Sequence, residues 1–158
     1  MVKLLRTDSE HEDYIHLTHL LNDDLADRYN VEPSLFLKIN AKKLSWVVVI
    51  YAGDIAIGCG AIRSFDDHSV EIKRVYVHPD HRGSGAAFKL LTELEAWAKE
   101  LGYSRTVLET GTGQPEAIKF YKKYGYTAIP NYGEGGDLSR CFEKMLVSEV
   151  QQCSADQS

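Results

Sequence analysis

A chain of 158 residues and 17.8 kDa is long enough to bury one hydrophobic core and too short for two domains of ordinary size. The formal net charge of −5 gives no electrostatic basis for binding nucleic acid, and no apolar run approaches the ~20 residues of a membrane span. We expect a single domain over residues 1–147, a polar C-terminal tail over 148–158, and a cytoplasmic protein without nucleic-acid or membrane partners.

The N-terminal part of the chain predicts a short strand followed by helices. Leucines recur at helical spacing between residues 9 and 26, which predicts one amphipathic helix behind a strand over residues 2–6. Pro33 is expected to open a second, short helix. The apolar residues that carry the two helices are Leu17, Leu20, Leu21, Leu25, Leu35, Phe36 and Ile39.

The middle of the chain predicts three antiparallel strands over residues 46–51, 55–63 and 70–77. The first of them, WVVVIY, is β-branched and aromatic throughout, which is typical of a strand buried on both faces. The short polar segments AGD and FDDHS supply the two turns. Beyond residue 85 the pattern predicts a helix that ends at Gly102, a strand over residues 105–110, another helix and a last strand, so the fold class is mixed α/β.

The third strand, VEIKRVYV, contains a change of side-chain parity. Val70 and Ile72 share one face of a regular pleat, whereas Val75 and Val77 share the other. One extra residue near Lys73 and Arg74 restores a single apolar face, and such a β-bulge frees backbone groups for a ligand. The alternative is a regular strand buried on both faces.

The segment HPDHRGSGAA, residues 78–87, joins this strand to the following helix. Gly83 and Gly85 leave the first helical turn without bulky side chains, so an anion can approach the unpaired N–H groups at the positive helix end. Arg82 adds a fixed positive charge, and we expect a pyrophosphate group there. The segment matches neither GxxxxGK[ST] nor GxGxxG. The alternative is a tight connection in which the glycines only permit the turn.

Metal and disulfide chemistry find little support in the sequence. Cys59, Cys141 and Cys153 are odd in number and widely spaced, which favours a reducing compartment. His16 and His19 share a helix face but have no evident third ligand. We predict no metal, and we interpret Cys59 as a small buried side chain.

Two sequence blocks together resemble the GCN5-related N-acetyltransferase (GNAT) family. RGSGAA at residues 82–87 matches the R/Q-x-x-G-x-G/A signature, with the strand EIKRVYV before it. QPEAIKFYKKYGY at residues 114–126 is similar to the later N-x-x-A-x-x-x-Y-x-x-x-G-F segment, with Gln114 in place of Asn and Tyr126 in place of Phe. The resemblance covers roughly residues 45–146.

The resemblance implies the GNAT fold, in which a central, mostly antiparallel sheet carries a βαβ acetyl-CoA-binding unit and flanking helices. Acetyl-CoA would be the co-substrate, with its pyrophosphate on the loop and its pantetheine arm along the bulged strand. The N–H of Val75 would polarise the acetyl carbonyl. The positions implied in cofactor binding are Val75, Tyr76, Val77, Arg82, Gly83, Ser84, Gly85, Ala86, Ala87 and Gln114.

The resemblance also implies two catalytic candidates. Glu71 lies eleven residues before Arg82, where some family members place a catalytic carboxylate, and would act as the general base. Its alternative role is an ordinary strand residue paired with Lys73 or Arg63. Tyr121 would protonate the departing thiolate, and its alternative role is a packing aromatic.

The predicted function is acetyl transfer from acetyl-CoA to a primary amine of a small molecule, by a chain compatible with a homodimer. The alternatives are a protein lysine or N-terminal acetyltransferase and a non-catalytic acyl-CoA sensor. The acceptor stays open: Asp23, Asp24 and Asp27 would attract a polycation, whereas Arg63 or Arg74 facing inward would select a carboxylate.

Overall fold

The computed structural model describes residues 1–32, 34–35, 43–133 and 135–147. Within them, seven strands form a mostly antiparallel sheet with the order β1-β2-β3-β4-β5-β7-β6. The strands are β1 (Val2–Thr7), β2 (Trp46–Ala52), β3 (Ile55–Ser64), β4 (Ser69–Val77), β5 (Arg105–Gly111), β6 (Thr127–Ile129) and β7 (Ser139–Met145). The helices are α1 (Glu12–Tyr29), α2 (Ala86–Glu100) and α3 (Pro115–Lys123), with 3₁₀ turns at Pro79–His81 and Gly136–Leu138.

The mixed α/β class is confirmed. Within the described residues the order of elements is as predicted up to the last helix, after which the structure has two strands, β6 and β7, where the sequence predicts one. The five strands whose bounds the sequence predicts correspond to β1, β2, β3, β4 and β5. Their predicted ends lie within one residue of the observed ends. The short helix predicted from Pro33 and the tail over 148–158 lie largely or wholly outside the described residues. Among the helices that are described, none combines the length and apolar character needed to cross a membrane.

The chain divides into two compact units. Unit 1 contains Met1–Arg63 and Ile72–Leu94, and unit 2 contains Ser64–Glu71 and the chain from Glu95 onward. Strand β4 and helix α2 therefore each contribute residues to both units.

The core of unit 1 forms where α1 packs on the first strands. β1 and β3 both pair antiparallel with β2, and residues 47–50 of β2 are fully buried, as its β-branched run predicts. From α1, Tyr14, Leu17 and Leu21 pack into this core, while Leu20 and Leu25 flank it. The predicted apolar face of the helix is thus confirmed.

Helix α1 begins three residues later than residue 9, where the leucine pattern placed it. Ser9 is the residue type that commonly caps a helix, but it binds Leu44 instead. Its N–H donates to the Leu44 carbonyl at 2.9 Å, and its hydroxyl oxygen accepts the Leu44 N–H at 2.8 Å. His11 takes the capping position and accepts the Asp13 N–H at 3.1 Å.

Unit 2 is built around β7, which pairs antiparallel with both β5 and β6. Its interior contains a buried polar cluster around Tyr126. The Tyr126 hydroxyl donates to Glu95 Oε2 at 2.8 Å and is hydrogen-bonded to Thr106 Oγ1 at 2.8 Å. Lys144 Nζ closes the cluster at 3.0 Å from Glu95 Oε1.

Candidate functional site

The parity change in β4 corresponds to a backbone irregularity at the predicted place. Arg74 has φ 59°, in the left-handed region that residues other than glycine rarely adopt. A left-handed residue inside a strand breaks the alternation of side chains, so the predicted irregularity near Lys73 and Arg74 is confirmed. Val75, Tyr76 and Val77 follow it within unit 1, with Tyr76 and Val77 buried.

The loop before α2 exposes the start of that helix. Gly83 and Gly85 have φ 79° and 87°, and a Cβ added at either would meet nothing within 4 Å. The glycines are thus required by the backbone conformation, and the space beside them is open. The Lys89 N–H donates to the Gly85 carbonyl at 3.1 Å, so the N–H groups of Ala86 and Ala87 belong to the first turn, which has no acceptors inside the helix.

Arg82 is anchored beside this loop, at the end of the 3₁₀ turn. Its Nε donates to the Val77 carbonyl at 2.9 Å, and its guanidinium lies 5.8 Å from the centroid of the Tyr76 ring. Ser84 donates its hydroxyl to the His81 carbonyl, which further fixes the loop. Unit 1 thus brings the predicted positions from Val75 to Val77 and from Arg82 to Ala87 onto one strand, loop and helix start. The Val77 carbonyl oxygen already accepts the hydrogen bond from Arg82 Nε.

In unit 2, Glu71 is buried with 4% exposure and receives a hydrogen bond from a phenol. The Tyr132 hydroxyl donates to Glu71 Oε2 at 2.8 Å. Burial, followed by this hydrogen bond and the Glu71 charge, raises the pKa of Tyr132, so the phenol stays protonated and acts as a donor. Sequence reasoning missed Tyr132, and its glycine-rich setting, NYGEGG, was the available signal.

Close backbone contacts hold the Tyr132 loop. Asn131 Nδ2 donates to the Gly136 and Ser139 carbonyls at 2.9 Å and 3.0 Å. A Cβ at Gly133 would collide with the Glu109 carboxylate, and one at Gly135 would collide with the Ser139 side chain. Glycine is therefore required at Gly135, where the neighbour includes Ser139 Cβ, whereas the Glu109 carboxylate beside Gly133 is the movable end of a flexible side chain. The Tyr132 ring also meets Phe65 edge-on, with centroids 4.8 Å apart.

Tyr121 and Gln114 lie on or beside α3 in unit 2. Tyr121 is 7% exposed, and its ring packs edge-on against Phe120 and Tyr126. Burial raises the pKa of its phenol, which therefore remains protonated at neutral pH. In the described part of the chain its hydroxyl has no hydrogen-bond partner. Gln114 precedes the first helical turn, and its carbonyl accepts the N–H of Ala117 and of Ile118.

Other singled-out residues have simpler roles. Cys59 is fully buried, and burial raises the pKa of its thiol to about 12. His16 and His19 are exposed on α1. Across the described ranges, no group of three or more His, Cys, Asp or Glu side chains is arranged to hold a metal ion.

Known protein families and relatives match the part of the chain that contains this loop and strand. The model of the acetyltransferase (GNAT) family matches residues 9–126, which is more than half of the chain. The chain belongs to the GNAT acetyltransferase family. It is 32% identical over 137 residues to the IAA acetyltransferase of Azospirillum brasilense, covering 84% of this chain and 90% of that protein. As a family member it is an acyltransferase, and the GNAT family uses acetyl-CoA.

Solved structures agree with the GNAT fold. A crystal structure from Klebsiella pneumoniae, assigned as an acyl-CoA N-acyltransferase, superposes with a TM-score of 0.76 at 29% identity, covering 92% of this chain and 98% of that chain. A GNAT acetyltransferase from Elizabethkingia anophelis, solved with acetyl-CoA bound, gives a TM-score of 0.67 at 19% identity, with 92% and 98% covered. The fold predicted from the two sequence blocks is confirmed.

Proposed function

We propose that this GNAT acetyltransferase transfers the acetyl group of acetyl-CoA to a primary amine of a small molecule. The observation that carries the proposal is the loop over residues 82–87. Two left-handed glycines, an anchored arginine and the positive end of α2 together form a cradle for the pyrophosphate of the cofactor. The E. anophelis neighbour with bound acetyl-CoA supports this choice of ligand.

The proposed chemistry assigns one step to each candidate group. The amine nitrogen attacks the thioester carbonyl, whose developing charge the Val75 N–H stabilises. Glu71 takes the amine proton. Its buried carboxylate accepts the hydrogen bond from the Tyr132 hydroxyl, which orients it. The C–S bond then breaks, and Tyr121 protonates the thiolate of CoA. Gln114 is proposed to contact the cofactor. A homodimer and a cytoplasmic location stay predictions from the sequence.

Thermal unfolding with acetyl-CoA tests the proposal. A ligand that binds only the folded state raises the free energy of unfolding by about 2.7 kcal/mol when its concentration is a hundred times Kd. The Tm rises as a result. Gly85→Glu is expected to abolish the increase, because it places a carboxylate against the phosphates. Gly53→Glu is the matched control: Gly53 is also left-handed, with φ 59° and open space beside it, in the β2–β3 turn of the same unit.

The control separates lost binding from backbone strain. We expect acetyl-CoA to raise Tm in wild type and in Gly53→Glu alike, and to leave Gly85→Glu unchanged. No increase in wild type at millimolar acetyl-CoA, or an equal increase in Gly85→Glu, contradicts the cofactor site. Release of the CoA thiol with amines, with peptides or with neither then distinguishes the small-molecule enzyme from the protein acetyltransferase and the sensor.

A further inference from the structure

Arg74 is a half-buried arginine whose charged group points to main-chain and neutral side-chain partners in unit 1. Its Nη2 donates to the Thr18 carbonyl at 3.1 Å and to Asn22 Oδ1, both on α1. Its Nε is fully buried and has no acceptor among the described residues. Both Nη2 hydrogens are therefore engaged and Nε is enclosed, so what remains uncompensated is the positive charge of the guanidinium.

The groups around Arg74 are uncharged at neutral pH. Burial raises the pKa of Tyr14 and of Cys59 to about 12 each, so the neighbouring phenol and thiol stay neutral. Burial also lowers the pKa of Arg74, yet a guanidinium remains charged in proteins.

Other arginines of unit 1 show the contrast. Arg6 Nε lies 2.8 Å from Glu93 Oε1, and Arg28 Nε lies 3.1 Å from Asp24 Oδ2. In the described part of the chain no carboxylate forms such a pair with Arg74. A buried charge without an opposite charge is costly, and Arg74 carries the additional strain of a left-handed backbone. Both costs at one residue favour a role in ligand binding over a role in packing.

We propose that Arg74 binds a carboxylate of the acceptor, so that the acceptors are amino acids or other amines that bear a carboxylate. The proposal rests on the acetyl-transfer function given above. The amine to be acetylated must reach the acetyl carbonyl at the Val75 N–H, and Arg74 precedes Val75 on β4. In an α-amino acid the carboxylate is attached to the carbon that bears the amine, so the adjacent cation suits it. The feature of Arg74 that suits a carboxylate is its uncompensated charge, since both Nη2 hydrogens are engaged by α1.

The experiment compares acceptors that differ only in this charge. Release of the CoA thiol gives kcat/KM for a set of free amino acids and for their primary amides, which keep the amine and the side chain but lose the carboxylate. Wild type is expected to prefer the free acids by about ten- to a hundredfold, the value of a hydrogen-bonded charge. In Arg74→Met the ratio should fall to near one. The free acids and their amides also differ in the basicity of the amine. Dividing the acid-to-amide ratio of Arg74→Met by that of wild type removes this difference, because it is the same for both proteins.

Two further variants serve as controls for this experiment. Arg6→Met removes an arginine that has its own carboxylate partner, and it should retain the wild-type preference. Arg74→Lys keeps the positive charge and should retain a preference for the free acids even if Arg74→Met does not fold. As a readout without turnover, N-acetylated amino acids in the presence of CoA should raise the wild-type Tm more than their amides do.

The outcomes separate the two proposals. Equal use of acids and amides by wild type, better use of polyamines, or a preference that survives in Arg74→Met overturns the carboxylate site and leaves acetyl transfer standing. Absence of CoA release with every acceptor, together with no effect of acetyl-CoA on Tm, overturns the proposed function and this inference with it.

Discussion

Glu71 and Tyr132 are 61 positions apart in the sequence and meet in a single short hydrogen bond. A phenol can donate to an ionised carboxylate without supplying a charge of its own. It therefore fixes the orientation of the carboxylate, which a general base requires. Tyr132 would act on the reaction through Glu71, as a positioning residue.

Tyr132→Phe separates this role from packing. Without the donor, the ionised carboxylate loses a hydrogen bond worth roughly 1.5–3 kcal/mol. We expect kcat/KM to fall by about ten- to a hundredfold, because the carboxylate is no longer held in one orientation. Tyr126→Phe is the matched control, because it removes a phenol-to-glutamate hydrogen bond of the same 2.8 Å length in the same unit. It should lower stability and leave kcat/KM near the wild-type value.

Glu71→Gln completes this comparison. If Glu71 is the base, its amide variant should lose about 10²–10⁴ in turnover and keep the acetyl-CoA effect on Tm. A wild-type kcat/KM in Tyr132→Phe would remove Tyr132 from the mechanism. Unchanged turnover in Glu71→Gln would assign the carboxylate to structure.

Tyr121→Phe tests the proposed acid. The substitution keeps the ring that packs on Phe120 and Tyr126 and removes one oxygen. We expect Tm to stay within a few degrees of wild type, and turnover to fall more than about tenfold where chemistry limits the rate. Steady-state kinetics and a melt on the same preparation measure both. Full activity would leave Tyr121 with a packing role alone.

In β3, Gly58 allows the close approach of β4 that the proposed cofactor strand needs. A Cβ at Gly58 would lie 2.7 Å from the Tyr76 carbonyl oxygen, whereas one at Gly60 would lie 2.9 Å from Leu94 Cδ1. The first neighbour is backbone and cannot move alone. The second is the end of a flexible side chain that can rotate.

The same substitution at the two glycines should therefore have different effects. Gly58→Ala is expected to lower the free energy of unfolding by about 2–3 kcal/mol and to weaken acetyl-CoA binding, because it displaces residues 75–77. Gly60→Ala should cost about 1 kcal/mol or less and leave binding intact. Urea unfolding and titration with acetyl-CoA measure the two quantities. Equal losses in both variants would show that the contact at Tyr76 is not decisive.

Local patterns predicted the elements well because each signal lies within one segment. The leucine spacing of α2, the left-handed glycines of its loop and the parity change at Arg74 are all visible within a few residues. The carboxylate partner of Tyr132 and the α1 partners of Arg74 depend on contacts more than 50 positions apart, which no local pattern encodes. For the same reason the leucine spacing predicts a start of α1 that is three residues too early, since Ser9 binds the distant Leu44.

For the molecule as a whole, the buried neutral groups determine how stability depends on alkaline pH. Burial raises the pKa of Cys59 from 9.0 to about 12 and that of Tyr14 from 10.0 to about 12. Tyr51 is only partly buried, and desolvation together with its hydrogen bond to Asp13 raises its pKa from 10.0 to about 12. Each folded-state pKa lies above its unfolded value, so the folded chain holds these protons more tightly. The resulting stabilisation is complete below the unfolded pKa and is lost as pH rises through the folded pKa.

We therefore expect the free energy of unfolding to decrease above about pH 9, with Cys59 contributing about 1.4 kcal/mol per pH unit up to about pH 12. Urea unfolding at several values between about pH 8 and about pH 10.5 measures the slope. Cys59→Ala should lower the free energy of unfolding near neutral pH, because it leaves a small cavity at a fully buried site. Its alkaline slope should nevertheless be shallower, because the variant has no thiol to deprotonate. Identical slopes in the two proteins would mean that Cys59 reaches water before the chain unfolds.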